Sequence, residues 1–112
     1  MTRVFDSSAL LAWLRDEVGA DLADAELHNV DNDRVVHALN MTEVFYDQRR
    51  IGGDALAQTA LDLLAATGVQ IREDLDAAFW QDAGRIKADY RRVSLADCCG
   101  LALARRVGGT FL

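Results

Sequence analysis

Three acidic residues stand where apolar runs of the sequence give way to helical patterns. Asp6 directly follows the apolar pair in "VFDSS", Glu43 ends "NMTE", and Asp97 ends "SLAD". Carboxylate oxygens are hard ligands, and a few of them held together suit Mg²⁺ or Mn²⁺. Without a cation the grouping is costly, because like charges a few ångströms apart raise one another's pKa. The chemistry to look for is therefore metal-assisted, provided that the fold brings the three acids together.

The elements that must position these acids alternate along the chain. Short apolar runs predict four strands, at Arg3–Phe5, Arg34–Leu39, Val69–Ile71 and Thr110–Leu112. Helical periodicity and glycine stops predict helices at 8–19, 20–27, 40–50, 54–67, 74–90 and 94–107. This alternation predicts an α/β fold, a three-layer α/β/α sandwich around a central parallel sheet, formed by a single domain over residues 1–112.

In such a sheet the three acids converge on one edge. Ligands bind outside the carboxyl ends of parallel strands, where the strand order reverses, and Asp6 would stand there if its strand is central. The helix after the second strand starts at that edge with Glu43, and so does the helix that leads into the last strand, with Asp97. Each acid also has a purely structural explanation, since Asn40 with Glu43 and Ser94 with Asp97 resemble capping boxes. An aspartate such as Asp6 commonly caps a helix as well.

Composition narrows the class of protein. Of 112 residues, 51% are hydrophobic and 27% charged, with a net charge of −6, which argues against a general nucleic-acid binder. No apolar run is long enough to cross a membrane, and no signal peptide is evident. The adjacent Cys98 and Cys99 are badly placed to bridge each other, so we predict reduced thiols and a cytoplasmic location.

The segments "VFDSSALLAWL", "NMTEVFYD" and "SLADCCGLALARRVGGTFL", in this order and spacing, resemble the PIN-domain family, especially the VapC toxins of bacterial toxin–antitoxin pairs. The resemblance covers essentially the whole chain. It implies a metal-dependent endoribonuclease that uses Mg²⁺ or Mn²⁺ and hydrolyses RNA. It also implies a cognate antitoxin as partner, and homodimers.

Carried over by motif, the resemblance implies that Asp6, Glu43 and Asp97 are the catalytic and metal-binding acids. Ser8, Asn40 and Ser94 fall where the family places polar residues that support those acids. Family members usually carry a further aspartate shortly after the last strand, and the sequence ends before that position, at Leu112. We therefore expect a form truncated at its C-terminus, with an incomplete metal site.

Some alternatives remain open. Arg49, Arg50, Arg91 and Arg92 could hold an RNA backbone, or they could pair with acidic groups on the surface. A receiver-type signalling domain would share the fold, but it needs an acidic pair after the first strand and a lysine near the last one, which this sequence lacks. A catalytically impaired PIN-like interaction module is the second alternative.

Overall fold

The computed structural model describes residues 1–112, which form a parallel four-stranded sheet with helices on both faces. The strands are β1 (Thr2–Phe5), β2 (Asp33–His37), β3 (Gln70–Arg72) and β4 (Thr110–Phe111). Their order across the sheet is β3-β2-β1-β4, with all three pairings parallel. The order reverses between β1 and β4, so the first strand is central and its carboxyl end lies at the switch point. This is the condition under which the sequence places Asp6 there.

The helices are α1 (Ser7–Arg15), α2 (Ala20–Leu27), α3 (Ala38–Ala66), α4 (Ala77–Asp89) and α5 (Leu95–Val107). Alternate residues of the two central strands face opposite cores, because side chains alternate across a strand. Val4 and Val35 pack with α4 and α5, whereas Phe5 and Val36 pack with α1, α2 and α3. The predicted three-layer α/β/α sandwich is confirmed.

Several element boundaries differ from the predictions. Helix α4 begins at Ala77, after its cap at Asp76, instead of at residue 74. Helix α1 ends at Arg15 instead of continuing to Gly19, because Asp16 adopts a left-handed conformation (φ 53°) and its backbone N–H closes the helix. Strand β2 ends at His37 instead of Leu39, and α3 already begins at Ala38. The predicted stop at the glycine pair is present as a kink: Gly52 and Gly53 leave the helical conformation, and the chain then resumes its helix.

His37 is the cap of α3. Its Nδ1 accepts a hydrogen bond from the Leu39 backbone N–H (3.1 Å), and its Nε2 lies 2.8 Å from the Asp74 carbonyl. The ring is fully buried and stacks on Phe79 with 5.1 Å between ring centroids. Both ring nitrogens therefore have partners, as is usual for a buried polar side chain.

Helices α4 and α5 lie antiparallel, and this arrangement brings the chain back to the carboxyl edge before α5. At one end Arg106 of α5 bonds Asp76 (2.6 and 2.8 Å), and at the other Lys87 of α4 donates to the carbonyls of Arg91 (2.9 Å) and Val93 (2.6 Å). Helix α4 is continuous through Gly84. None of the helices is long and apolar enough to span a membrane.

Candidate active site

Asp6 connects β1 to α1 at the switch point of the sheet. Its Oδ1 accepts a hydrogen bond from the Ala9 backbone N–H (2.7 Å), so the carboxylate caps α1. Its own backbone N–H donates to the Leu112 carbonyl (2.9 Å), which ties the residue to the end of β4. Capping uses one carboxylate oxygen and leaves the other free for a ligand, so the structural explanation and the metal-binding explanation are compatible.

Asp97 lies in the first turn of α5, at the same edge. The predicted cap is present: the Ser94 hydroxyl oxygen accepts a hydrogen bond from the Asp97 backbone N–H (3.1 Å). The side chain of Asp97 is contacted from α3, where Asn40 Nδ2 lies 3.5 Å from Asp97 Oδ1. This long contact is weak as a hydrogen bond. It shows that the starts of α3 and α5 meet.

Glu43 lies one helical turn further along α3 than the sequence predicts. The predicted capping box of Asn40 and Glu43 is wrong, because His37 caps the helix and Asn40 is already inside its first turn. Asn40 is fully buried instead, with no hydrogen-bond partner for its Oδ1. Oε1 of Glu43 is likewise buried without a partner.

The serine next to Glu43 is Ser7. Burial and the charge of Asp97 raise the pKa of Glu43, and the nearby Ser7 side chain opposes that rise by favouring the charged form. Ser7 is buried, whereas Ser8, the position that the motif singles out, is exposed. The sequence alone does not separate the two, because the choice depends on the rotation of α1 about its axis.

The pKa values show that the three acids act on one another. Burial is the main cause that raises the pKa of Asp6, and the charge of Asp97 raises it further, while the Ala9 N–H lowers it. Burial also leads in raising the pKa of Glu43, followed by the charge of Asp97, with a smaller contribution from Asp6. The three carboxylates therefore share one partly desolvated region, and their mutual repulsion is the condition that a bound cation relieves.

The donor chemistry of this region fits a hard divalent cation. It offers carboxylate oxygens, and two buried oxygens lack partners, namely Asn40 Oδ1 and Glu43 Oε1. As the side chains lie, however, no three His, Cys, Asp or Glu residues are arranged to hold one metal ion. Mg²⁺ usually needs only one or two carboxylates and keeps several waters. The region fits such a water-rich site better than a closed cage of three acids.

Comparison with known proteins agrees with this fold. The sequence pattern of the PIN domain matches residues 3–112. A chain of VapBC2 from Rickettsia felis, solved bound to a DNA fragment from the promoter, superposes with a TM-score of 0.78 at 13% identity. That match covers 99% of this chain and 86% of the other.

A second solved structure is VapC20 from Mycobacterium tuberculosis, described as a toxin that cleaves the sarcin–ricin loop. It superposes with a TM-score of 0.72 at 19% identity, over 96% of this chain and 84% of the other. A search of curated protein sequences finds no significant match. At such identities the solved structures establish the fold alone. The family pattern spans nearly the whole chain, and the chain therefore belongs to the PIN-domain family.

Proposed function

We propose that this protein is a metal-dependent endoribonuclease and the toxin component of a type II toxin–antitoxin pair. The observation that carries the proposal is the electrostatic coupling of Asp6, Glu43 and Asp97, which come from three different elements and meet at the switch point. A fold maintained only by helix caps has no need to bring three carboxylates into one partly buried region.

Each acid has a role that follows from its surroundings. Asp6 and Asp97 are the proposed direct ligands of Mg²⁺ or Mn²⁺, and a cation held there supplies a water of lowered pKa and neutralises charge on the phosphate oxygens. Glu43, whose pKa is raised by burial, is the proposed proton acceptor or a ligand through water.

The polar neighbours position these acids. Asn40 orients Asp97 from α3, and Ser94 fixes the backbone of Asp97 as the cap of α5. Ser7, rather than the exposed Ser8, is the proposed partner of Glu43.

The structural neighbours suggest the biological setting. VapC20 is described as a toxin that cleaves the sarcin–ricin loop, and VapBC2 was solved bound to a DNA fragment from its promoter. By analogy we propose RNA as the substrate, a cognate antitoxin as the partner, and the cytoplasm as the location. A homodimer is proposed from the exposed aromatic side chains of Phe45, Tyr46 and Trp80.

The test is RNA cleavage with Asp6→Asn. Asparagine caps helices about as well as aspartate, so this change removes the charge while keeping the fold. We expect the purified protein to cut RNA when Mg²⁺ or Mn²⁺ is added and EDTA to stop it. Asp6→Asn should lose most of that activity, whereas Asp21→Asn, the same change at an exposed position on α2, should retain it.

The competing proposal is a PIN-fold interaction module without catalysis. It is favoured by the fact that no three acids are arranged around a common metal position. Cation-independent RNA cleavage, or cleavage unaffected by Asp6→Asn, would contradict the ribonuclease proposal. If the folded protein cleaves no RNA with any divalent cation, the interaction module is the proposal that remains.

A further inference from the structure

Nearly all basic side chains of this acidic protein have a bonding partner. Most of the twelve lysine and arginine residues pair with a carboxylate or bond a backbone carbonyl. Arg49 pairs with Asp54 (2.9 Å) and Arg50 with Asp47 (3.2 Å), while Arg105 pairs with Asp82 (3.3 Å). The exceptions have neither an acidic partner nor a side-chain hydrogen bond, and they are Arg85, Arg91 and Arg92.

These free arginines belong to one stretch of chain. Arg85 lies on α4, and Arg91 and Arg92 form the turn that connects α4 to α5. All three are exposed. The turn leads directly to Ser94 and so to Asp97, which is five positions after Arg92 with four residues between them. An extended chain spans about 3.4 Å per residue, so Arg92 lies within roughly 17 Å of Asp97 along the backbone.

Hydrogen bonds to its backbone hold this turn in place. Lys87 donates to the carbonyls of Arg91 (2.9 Å) and Val93 (2.6 Å), and the Val93 backbone N–H donates to the Tyr90 carbonyl (2.9 Å). The two guanidinium groups are thus displayed by a fixed backbone while their own donors stay unused. Because the backbone of the turn is already ordered, only the arginine side chains lose conformational freedom when they bind an anion.

The ligand that suits this turn is a polyanion with accessible bases. Arg91 and Arg92 line an open cavity of about 350 Å³ together with Tyr90, Val93 and the carboxylate of Asp89, so the lining carries two positive charges against one negative charge. The Tyr90 side chain is exposed. Guanidinium groups bind phosphates through paired hydrogen bonds, and an exposed tyrosine ring offers a surface on which an unpaired base stacks. An RNA strand provides both features.

We propose that Arg91 and Arg92 bind the phosphate backbone of single-stranded RNA and guide it past the start of α5. This inference rests on the proposed ribonuclease function and names the surface that holds its substrate. The sequence left open whether Arg49, Arg50, Arg91 and Arg92 hold RNA or pair with acidic groups. Arg49 and Arg50 pair with Asp54 and Asp47, so Arg91 and Arg92 are the stronger candidates for the backbone contact.

The experiment compares two matched double variants, Arg91→Gln/Arg92→Gln and Arg49→Gln/Arg50→Gln. Each removes two positive charges from one adjacent pair of arginines. The probe is a short fluorescein-labelled single-stranded RNA of mixed sequence in EDTA, with binding followed by anisotropy at several salt concentrations. Each phosphate contact on a single strand contributes about 0.7 to the slope of log K against log salt.

For Arg91→Gln/Arg92→Gln we expect the slope to fall by about 1.4 and Kd to rise about tenfold at low salt. The Arg49→Gln/Arg50→Gln variant should change neither. Equal weakening by both variants, or an unchanged slope in the first, overturns the proposal. Loss of binding to an acidic protein partner with RNA binding unchanged would also overturn it and would assign the turn to protein recognition.

Cleavage separates this proposal from the proposed function. If RNA is cleaved, the Arg91→Gln/Arg92→Gln variant should show a higher KM with kcat retained, since the turn holds the strand without touching the reacting phosphate. If no form of the protein cleaves RNA while the slope still falls as expected, the ribonuclease proposal fails and the binding surface stands.

Discussion

The carboxylate of Asp6 caps a helix, and we propose a second function for it as a metal ligand. Its Oδ1 caps α1 through Ala9, while burial and the charge of Asp97 raise its pKa. A residue used only as a cap would be solvated and would experience no such repulsion. The two functions can be separated by substitutions that keep one of them.

The first prediction concerns the stability of two variants at this position. Asp6→Ala should lower the free energy of unfolding by about 1 kcal/mol through loss of the cap. Asp6→Asn should be at least as stable as the unmodified protein, because the amide caps α1 and the repulsion with Asp97 disappears. Urea denaturation at neutral pH measures both, and a large loss of stability in Asp6→Asn would contradict the assignment.

The second prediction concerns the charge of Glu43. Because the pKa of Glu43 is raised in the folded state, its ionised form disfavours folding, and that penalty appears as the pH rises through the folded value. Glu43→Gln should therefore stabilise the fold at neutral pH, by roughly 0.5 kcal/mol. The gain should vanish below the ordinary glutamate pKa of 4.5, where both proteins are uncharged at this position.

Urea denaturation at several pH values gives this comparison. The matched control is Glu73→Gln, at an exposed position without an ion-pair partner. It should change stability little at any pH. A Glu43→Gln variant that is less stable than the original protein at neutral pH would show that Glu43 is a favourable structural charge.

At the scale of elements, the close approach of α5 to β4 depends on Gly100. A Cβ added there would lie 2.3 Å from Phe111 Cε1 and 3.2 Å from Asn40 Oδ1. The absence of a side chain lets the helix pack against the last strand and against the buried asparagine that contacts Asp97. Gly100 thus connects the packing of α5 against Phe111 with the position of Asn40 in the candidate site.

The third prediction follows from this contact. Gly100→Ala should destabilise the protein by about 1–3 kcal/mol, because overpacking forces the helix and strand apart. Gly84→Ala is the matched control: it lies within α4, and an added Cβ meets nothing within 4 Å. That control should gain roughly 0.5–1 kcal/mol from reduced backbone entropy. Thermal denaturation of both variants measures the difference.

A network of salt bridges connects the loop after β3 to α5. Asp74 accepts hydrogen bonds from Arg72 (2.9 Å to each oxygen) and from Arg106 (3.0 Å). The hydrogen bond with Arg72, supported by that with Arg106, lowers the pKa of Asp74 to about 2. Arg106 also lies over the Phe79 ring at 5.2 Å from its centroid. The network therefore joins the sheet edge, α4 and α5.

The fourth prediction follows from the lowered pKa of Asp74. A lowered folded pKa means that Asp74 stabilises the fold above its unfolded pKa, near 3.8, and that this contribution is lost as the pH falls toward 2. Asp74→Asn should cost about 1–2 kcal/mol at pH 7, allowing for solvent around the arginines. The two proteins should converge in stability near pH 2, as followed by urea denaturation. A pH-independent difference would indicate a packing effect instead.

The elements that the sequence predicts well are those with sharp local signals. The strands lie between polar turns, Gly68 and Gly108 end helices with positive φ, and the glycine pair interrupts α3. The errors occur where local signals mislead. Val18 continues the apolar stripe of α1 but is fully exposed, and His37 caps α3 although histidine is an unusual capping residue.

The sequence predicts that the acids lie at one edge, because parallel strands place the starts of the neighbouring helices there. It does not predict the details within the site. The choice of Ser7 over Ser8 depends on helix rotation, and the burial of Asn40 depends on α5 lying close to it at Gly100. Both are properties of packing between segments that are distant in sequence, which local periodicity does not encode.

At the scale of the whole molecule, the acidic region should respond to divalent cations. A ligand that binds only the folded state stabilises it by RT ln(1 + [L]/Kd), about 2.7 kcal/mol at one hundred times Kd. The fifth prediction is that Mg²⁺ or Mn²⁺ raises the melting temperature by several degrees, more than NaCl of equal ionic strength. Asp6→Asn should lose most of this increase, and an equal increase in that variant would show general screening instead.

The first and last strands of the chain, β1 and β4, pair with each other in the sheet. Arg3 pairs with Thr110 in register, and the Leu112 N–H donates to the Val4 carbonyl (2.7 Å) while the Leu112 carbonyl receives the Asp6 N–H. A chain still emerging from the ribosome cannot form these contacts before Thr110–Leu112 has left the exit tunnel. Interrupted translation products that stop short of Thr110 would lack the strand beside Asp6. Such products would therefore lack the Leu112 carbonyl that receives the Asp6 N–H, one of the contacts that positions this carboxylate.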